Sequence, residues 1–246
     1  MELVVMLDHM HPRAFIFDMD GVICHTMPYH LQAWEVYVER TPELRGQVDL
    51  QQLRQMGGKR NAELLPELLG RPITPAELQQ WSEGKEAVFR ELLAPHLELL
   101  PGVLPFLKTA KTLGYRLGLG TSACAANVDL ILSCEGVGTF FDTVVMEADV
   151  QRGKPDPECY LLVAQRLEVP PQQCVVFEDA VAGVLAAVRA GMTCWGVLTT
   201  QPERALREAG ATVCIPDFTD PRVETLLCDP AIAPCNPHPS IQSLHY

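Results

Sequence analysis

A short block of apolar residues, Ala14-Phe15-Ile16-Phe17, opens the ordered pattern of the chain, and similar blocks recur at Arg116-Gly120, Thr143-Met146, Cys174-Phe177 and Thr193-Val197. Brief, nearly continuous apolar runs of this length read as strands buried on both faces. Between them, from about residue 101 onward, Leu104-Leu113, Val128-Cys134, Glu158-Leu167 and Val181-Ala190 place apolar residues at three- and four-residue steps, the spacing of one helix face. Strand and amphipathic helix therefore alternate, which predicts an α/β fold with a parallel sheet covered on both sides.

The stretch from about Pro28 to Pro95 breaks this alternation. Tyr29-Glu39, Leu50-Gln55, Asn61-Leu69 and Pro75-Leu93 have helical periodicity and no strand pattern lies among them, so an all-helical insert follows the first strand. The expected organisation is a discontinuous core of residues 1–24 and 96–246, a helical cap over 25–95, and within the core a tail, 229–246, with four prolines and little periodicity.

Composition narrows the class of protein. A chain of 246 residues, 48% of them hydrophobic, can bury one substantial core and a smaller second unit. The sequence has no apolar run near the ~18 residues of a membrane span and no secretory pattern at its start, so no membrane association and a cytoplasmic location are expected. A formal charge of -12 repels a phosphate backbone and makes nucleic acid an unsuitable partner. The nine cysteines never fall as CxxC, which argues against a disulfide framework and a zinc site.

Four places carry candidate chemistry. Asp18 and Asp20 follow the first strand directly in Phe17-Asp18-Met19-Asp20-Gly21, at the carboxyl edge where open parallel sheets bind ligands. One carboxylate can attack phosphorus and the second can move the proton of the leaving oxygen, which assigns attack to Asp18 and proton transfer to Asp20. An Asp-x-Asp-Gly turn is the plainer alternative. Thr121 and Ser122 end a strand before a helix, suited to phosphate oxygens or simply to capping that helix. Lys154, between Gly153 and Pro155, is either a fixed ammonium facing the nucleophile or a solvated surface lysine. Glu178 and Asp179 end another apolar strand; gathered beside Asp18 they would repel one another unless a cation sat among them. Magnesium suits such a set, with Asp18, the main-chain carbonyl of Asp20, and Asp179 with or without Glu178 as ligands. Capping of the next helix by Asp179 is compatible with that role.

An Asp-x-Asp, a strand-ending Thr, a Lys-Pro and a strand-ending acid pair, in this order, resemble the haloacid dehalogenase superfamily, and the match extends over nearly the whole chain. The resemblance implies a Rossmann-like parallel-sheet core with an inserted all-helical cap domain, in the branch of beta-phosphoglucomutase and the sugar-phosphate phosphatases. It implies Asp18 as nucleophile, Asp20 as acid and base, Thr121 and Lys154 as phosphate anchors, and Glu178 with Asp179 at the magnesium end. Thr26, His30 and Trp34 are similar to the hinge and first cap helix of the mutase branch; Gly57 and Arg60 resemble its substrate loop, and Lys85 a further cap contact. Arg60 suits an anion or a hydroxyl pair better than Lys85, which also fits an exposed helix position, and His30 also fits a hydrogen-bonded interface. Where the mutase pattern has a basic residue and Asn after the strand-ending hydroxyls, this chain reads Ala123-Cys124-Ala125-Ala126-Asn127: Asn127 is present and the positive charge is missing. The expected activity is therefore magnesium-dependent hydrolysis of a small phosphorylated metabolite, a sugar phosphate, through an aspartyl-phosphate on Asp18. The alternatives are a mutase interconverting hexose 1- and 6-phosphates, a pyrophosphatase, and a binding module without catalysis. Cys24 and Cys124 flank the first and second motifs, close enough for their oxidation to affect activity.

Overall fold

Ala14–Phe17 (β1) is buried along its whole length and stands in the middle of a sheet. The computed structural model describes residues 12–49, 51–52 and 60–227. The tail over 229–246, Gly57 and most of the helix expected at Leu50-Gln55 lie outside those residues.

The other strands are β2 (Arg116–Gly120), β3 (Thr143–Val145), β4 (Cys174–Glu178), β5 (Thr193–Val197) and β6 (Val213–Ile215). All pair in parallel in the order β3-β2-β1-β4-β5-β6, a doubly wound arrangement that reverses direction beside β1. Period-two alternation divides β1 between two cores. Phe15 and Phe17 join Phe106, Phe177 and Trp195 on one face, while Ile16 joins Tyr160, Val163, Val176 and Val184 on the other. Each aromatic side chain buries about 150–250 Å², so the ring cluster beneath β1 and β4 is a rigid floor for whatever follows those strands.

The chain leaves β1 for a helical segment that includes α1 (Met27–Arg40), α2 (Asn61–Leu69) and α3 (Pro75–Leu93). They bury Trp34, Val38, Leu64, Leu65, Leu68 and Trp81 in a third cluster of their own. A capping box starts α3: the Thr74 hydroxyl accepts from the Glu77 N–H and the Glu77 carboxylate accepts from the Thr74 N–H. No strand lies between β1 and β2 among the described residues. The insert is thus the helical cap that the periodicity implied.

Among the described residues six further α-helices cover the sheet: α4 (Val103–Thr112), α5 (Ala125–Ser133), α6 (Glu158–Leu167), α7 (Val181–Arg189), α8 (Glu203–Ala209) and α9 (Pro221–Leu227). The sequence reading anticipated neither β6 nor α8 and α9. Among the described residues no helix is long and apolar enough to cross a membrane, and the seven cysteines are free thiols.

Candidate active site

Sheet register brings the acids together. Phe17 pairs with Phe177 on β4 and with Leu119 on β2, so the residues that follow, Asp18, Glu178 and Gly120, emerge side by side at the carboxyl edge. The Phe17 and Phe177 rings stack beneath them, 5.1 Å between centroids. Lys154, only 6% exposed, reaches this edge from the loop before α6. Its ammonium donates to Asp18 Oδ1 (2.8 Å), Glu178 Oε1 (2.7 Å) and the Gly120 carbonyl (3.1 Å). All three of its donors are used, which answers the desolvation of a buried charge. The solvated-lysine alternative does not hold.

Glu178 is engaged from every side. Oε1 accepts from Lys154 and from the Tyr160 hydroxyl at 2.6 Å, while Oε2 accepts from the N–H groups of Asp179 (3.0 Å) and Ala180 (3.1 Å). The Tyr160 ring also lies 4.7 Å from the Lys154 ammonium. Gly183 on α7 permits this packing, since a Cβ there would overlap the Glu178 carboxylate. Asp179 does not cap α7; Ala180 occupies that position, with no side-chain cap.

Asp18, Glu178 and Asp179 each offer a carboxylate oxygen, and these atoms lie within 4.8 Å of one another. Three buried carboxylates face one ammonium. Burial first, then Glu178 and Asp20, push Asp18 up to about 7 against the pull of Lys154. Burial, then Glu178 and Asp18, push Asp179 well above the ordinary carboxylate range. This surplus of negative charge fits a hard divalent cation with oxygen ligands, whose charge would restore both groups to the ionised form. Asp18 and Asp179 suit it better than Glu178, whose two oxygens already hold four donors.

Asp20 is turned the other way, toward the cap. Its Oδ1 accepts from the Thr26 hydroxyl (2.6 Å) and lies 3.3 Å from His30 Nε2. Lys85 Nζ sits 2.7 Å from His30 Nδ1, and an ammonium only donates; Nδ1 must therefore accept, leaving the ring proton on Nε2, pointed at Asp20. Burial opposes ionisation of Asp20, but the His30 and Thr26 hydrogen bonds outweigh it and hold the carboxyl below its usual range. His30 itself is stacked on Phe89, 3.7 Å between rings.

A cavity of about 670 Å³ opens above Asp20 between cap and core. His30, Trp34, Arg60, Lys85, Ser122 and Asn127 line it, six of the residues that the sequence marked for substrate contact. Lys85 is not an exposed helix residue: it is 3% exposed and paired with Glu86 at 2.9 Å. Arg60 is engaged by Glu63 at 2.9 Å. Thr121 is buried beside the strand edge, where its hydroxyl accepts from the Ala123 N–H at 3.1 Å and keeps its own proton for donation. Neither Thr121 nor Ser122 caps α5, whose N-cap is Cys124. Cys24 is buried, and burial pushes its thiol pKa up, away from reactivity.

Sequence reasoning missed three residues here. Glu86 bridges Lys85, Asn61 and Asn127; Arg90 donates to Asn127 Oδ1 at 2.8 Å; Tyr160 ties Glu178 to Lys154. The helical pattern of Pro75-Leu93 placed Glu86 and Arg90 four residues apart on one helix face, yet nothing in it indicated that this face meets Asn127.

Such an edge, with one carboxylate against a buried ammonium and a second turned to a roomy cavity, is suited to accepting and releasing a phosphoryl group. The model of the haloacid dehalogenase-like hydrolases matches residues 12–191. The chain belongs to that family and is an enzyme of its phosphoryl-transfer kind. A phosphorylated carbohydrates phosphatase of Thermotoga maritima is 36% identical over 210 residues, which are 82% of this chain and 94% of that protein. A fructose-1-phosphate phosphatase of Escherichia coli is 37% identical over 184 residues, 73% of this chain and 93% of that one. The solved structure of a beta-phosphoglucomutase from Clostridium difficile superposes with a TM-score of 0.75 at 26% identity, covering 88% of this chain and 97% of that one.

Proposed function

We propose that the chain is a magnesium-dependent phosphatase that hydrolyses a small sugar phosphate through an aspartyl-phosphate on Asp18. The observation that carries this reading is the convergence of Asp18, Lys154 and Asp179 at the strand edge, with Asp20 held separately on the cavity side. Asp18 attacks phosphorus and the bond to the sugar oxygen breaks; Asp20 gives that oxygen a proton. Water then attacks the aspartyl-phosphate while Asp20 takes its proton, releasing orthophosphate and restoring Asp18.

Asp20 suits the base half as it stands, because His30 and Thr26 favour its ionised form. For the acid half it must first be protonated, and the negative charge of an arriving phosphate raises its affinity for that proton. Lys154 offsets repulsion between that phosphate and Asp18, while Thr121 keeps a hydroxyl proton for a phosphate oxygen. Asp18, Asp179 and the main-chain carbonyl of Asp20 would hold magnesium, which when bound supplies charge neutralisation to the transferring group. Helices α1, α2 and α3 act as a lid that excludes bulk water from the cavity.

The phosphatases at 36% and 37% identity support transfer to water. A mutase is the second reading. It is favoured by the likeness to beta-phosphoglucomutase and by Arg90, which brings to the core loop the charge its own sequence lacks. Incubation with hexose phosphates separates the two: orthophosphate release supports the phosphatase, isomerised sugar phosphate without net release the mutase. Asp18→Asn should lower turnover by at least about 1000-fold, the loss typical of a removed nucleophile. Near-normal turnover in that variant would sink both readings.

A further inference from the structure

Three cationic side chains line the cavity above Asp20, and two of them already face carboxylates. Lys85 lies against Glu86 and Arg60 against Glu63. Arg90 has no carboxylate partner among the described residues: its Nη1 donates to the side-chain oxygen of Asn127. Asn127, 1% exposed, donates its amide to Glu86 Oε2 at 2.7 Å. With both ends of the amide used, its oxygen is fixed toward Arg90. Glu86 accepts from Lys85, Asn61 and Asn127, so its charge is taken up without the guanidinium. Nη1 also reaches the Cys124 sulfur at 4.0 Å; the three N–H donors on Nε and Nη2 remain available at the cavity wall.

The charge balance of the wall gives these donors a purpose. Asp20, Glu83, Glu86 and Glu147 line the same cavity, so an anionic leaving group needs an unpaired cation to enter it. The core loop from Ser122 to Asn127 carries none. Arg90 brings one from the last turn of α3, and its bond to Asn127 joins cap helix to core helix.

We propose that Arg90 is a specificity-determining residue that binds a second anionic group, a carboxylate or a further phosphate, on the leaving portion of the substrate. The proposal deepens the phosphatase reading and rests on it. It predicts that sugar bisphosphates or phosphorylated sugar acids are used in preference to monophosphates with a neutral far end.

The test compares the full chain with Arg90→Gln and Arg90→Lys on a hexose bisphosphate, a phosphorylated sugar acid and a neutral-ended hexose monophosphate. For at least one of the two anionic-ended substrates, Arg90→Gln should lower kcat/KM about tenfold more than for the neutral-ended one, mostly through KM, as loss of a charge-assisted hydrogen bond does. The arm that responds tells carboxylate from phosphate, and Arg90→Lys should restore part of the loss. Equal losses on all three substrates would overturn the proposal, since a purely structural latch does not discriminate. Binding separates its failure from that of the phosphatase reading. In an Asp18→Asn background the anionic-ended compound should still raise the melting temperature, and adding Arg90→Gln should remove most of that shift. A shift that Arg90→Gln leaves intact would refute the role of Arg90 whatever the chemistry at Asp18.

Discussion

The ammonium of Lys154 lies 2.8 Å from Asp18 Oδ1, although 136 residues separate the two in the chain. The pair is buried, and Glu178 shares the same ammonium at 2.7 Å. Removing one partner from a buried ion pair leaves an uncompensated charge, which costs more than the pair itself contributes.

Lys154→Met keeps most of the apolar stem and removes the charge. Asp18, Glu178 and Asp179 are then left facing one another without a cation. Denaturant titration should show a loss of about 3–5 kcal/mol in metal-free buffer. Added magnesium should recover a larger share of stability in this variant than in the parent, because in the variant it is the sole positive charge at the cluster. A loss under about 1 kcal/mol would mean that the acids are not held by Lys154.

Gly21 sits directly after Asp20 with φ +76°, in the left-handed region, and a Cβ there would overlap the Asp179 carboxylate. Gly21→Ala therefore strains the backbone and displaces an acid proposed to hold the metal. Calorimetric titration should find magnesium affinity reduced by about 10- to 100-fold, the usual range for disturbed ligand positioning. Unchanged affinity would exclude Asp179 from the metal set.

The site and its surroundings were legible to different depths. Strands flanking the active edge showed themselves because burial on both faces makes them continuously apolar, as in Cys174-Val175-Val176-Phe177. β6 has three residues at the border of the sheet, and α8 and α9 have seven each, too few turns for a helical period to declare itself. The acids were visible because a strand that ends in Glu178-Asp179 or Asp18 breaks its own pattern. Glu86 and Arg90 were not, since their meaning comes from Asn127, 41 and 37 residues away on a facing helix. Helical periodicity tells which residues share a face; it does not tell what that face meets.

Glu86 gives the cap–core junction a dependence on pH. Burial opposes its ionisation, but the Lys85 ammonium, then His30 and Asn127, outweigh it and bring its pKa down to about 2 from 4.5. Between those values the unfolded chain binds more protons than the folded one, so stability rises with pH across the window. The contribution is complete above about pH 4.5 and is lost as pH falls toward 2. At about 1.4 kcal/mol per pKa unit it amounts to roughly 3 kcal/mol. Asp18 acts in the opposite sense: its pKa is raised from 3.8 to about 7, so its share of stability declines as pH rises through that range. A stability profile of the parent alone mixes the two. The difference in unfolding free energy between the parent and Glu86→Gln isolates the first, because Asp18 is common to both chains. That difference should be largest above pH 4.5 and shrink steadily in more acid buffer. A difference that stays constant with pH would mean that Glu86 contributes shape and hydrogen bonds to the junction but no charge.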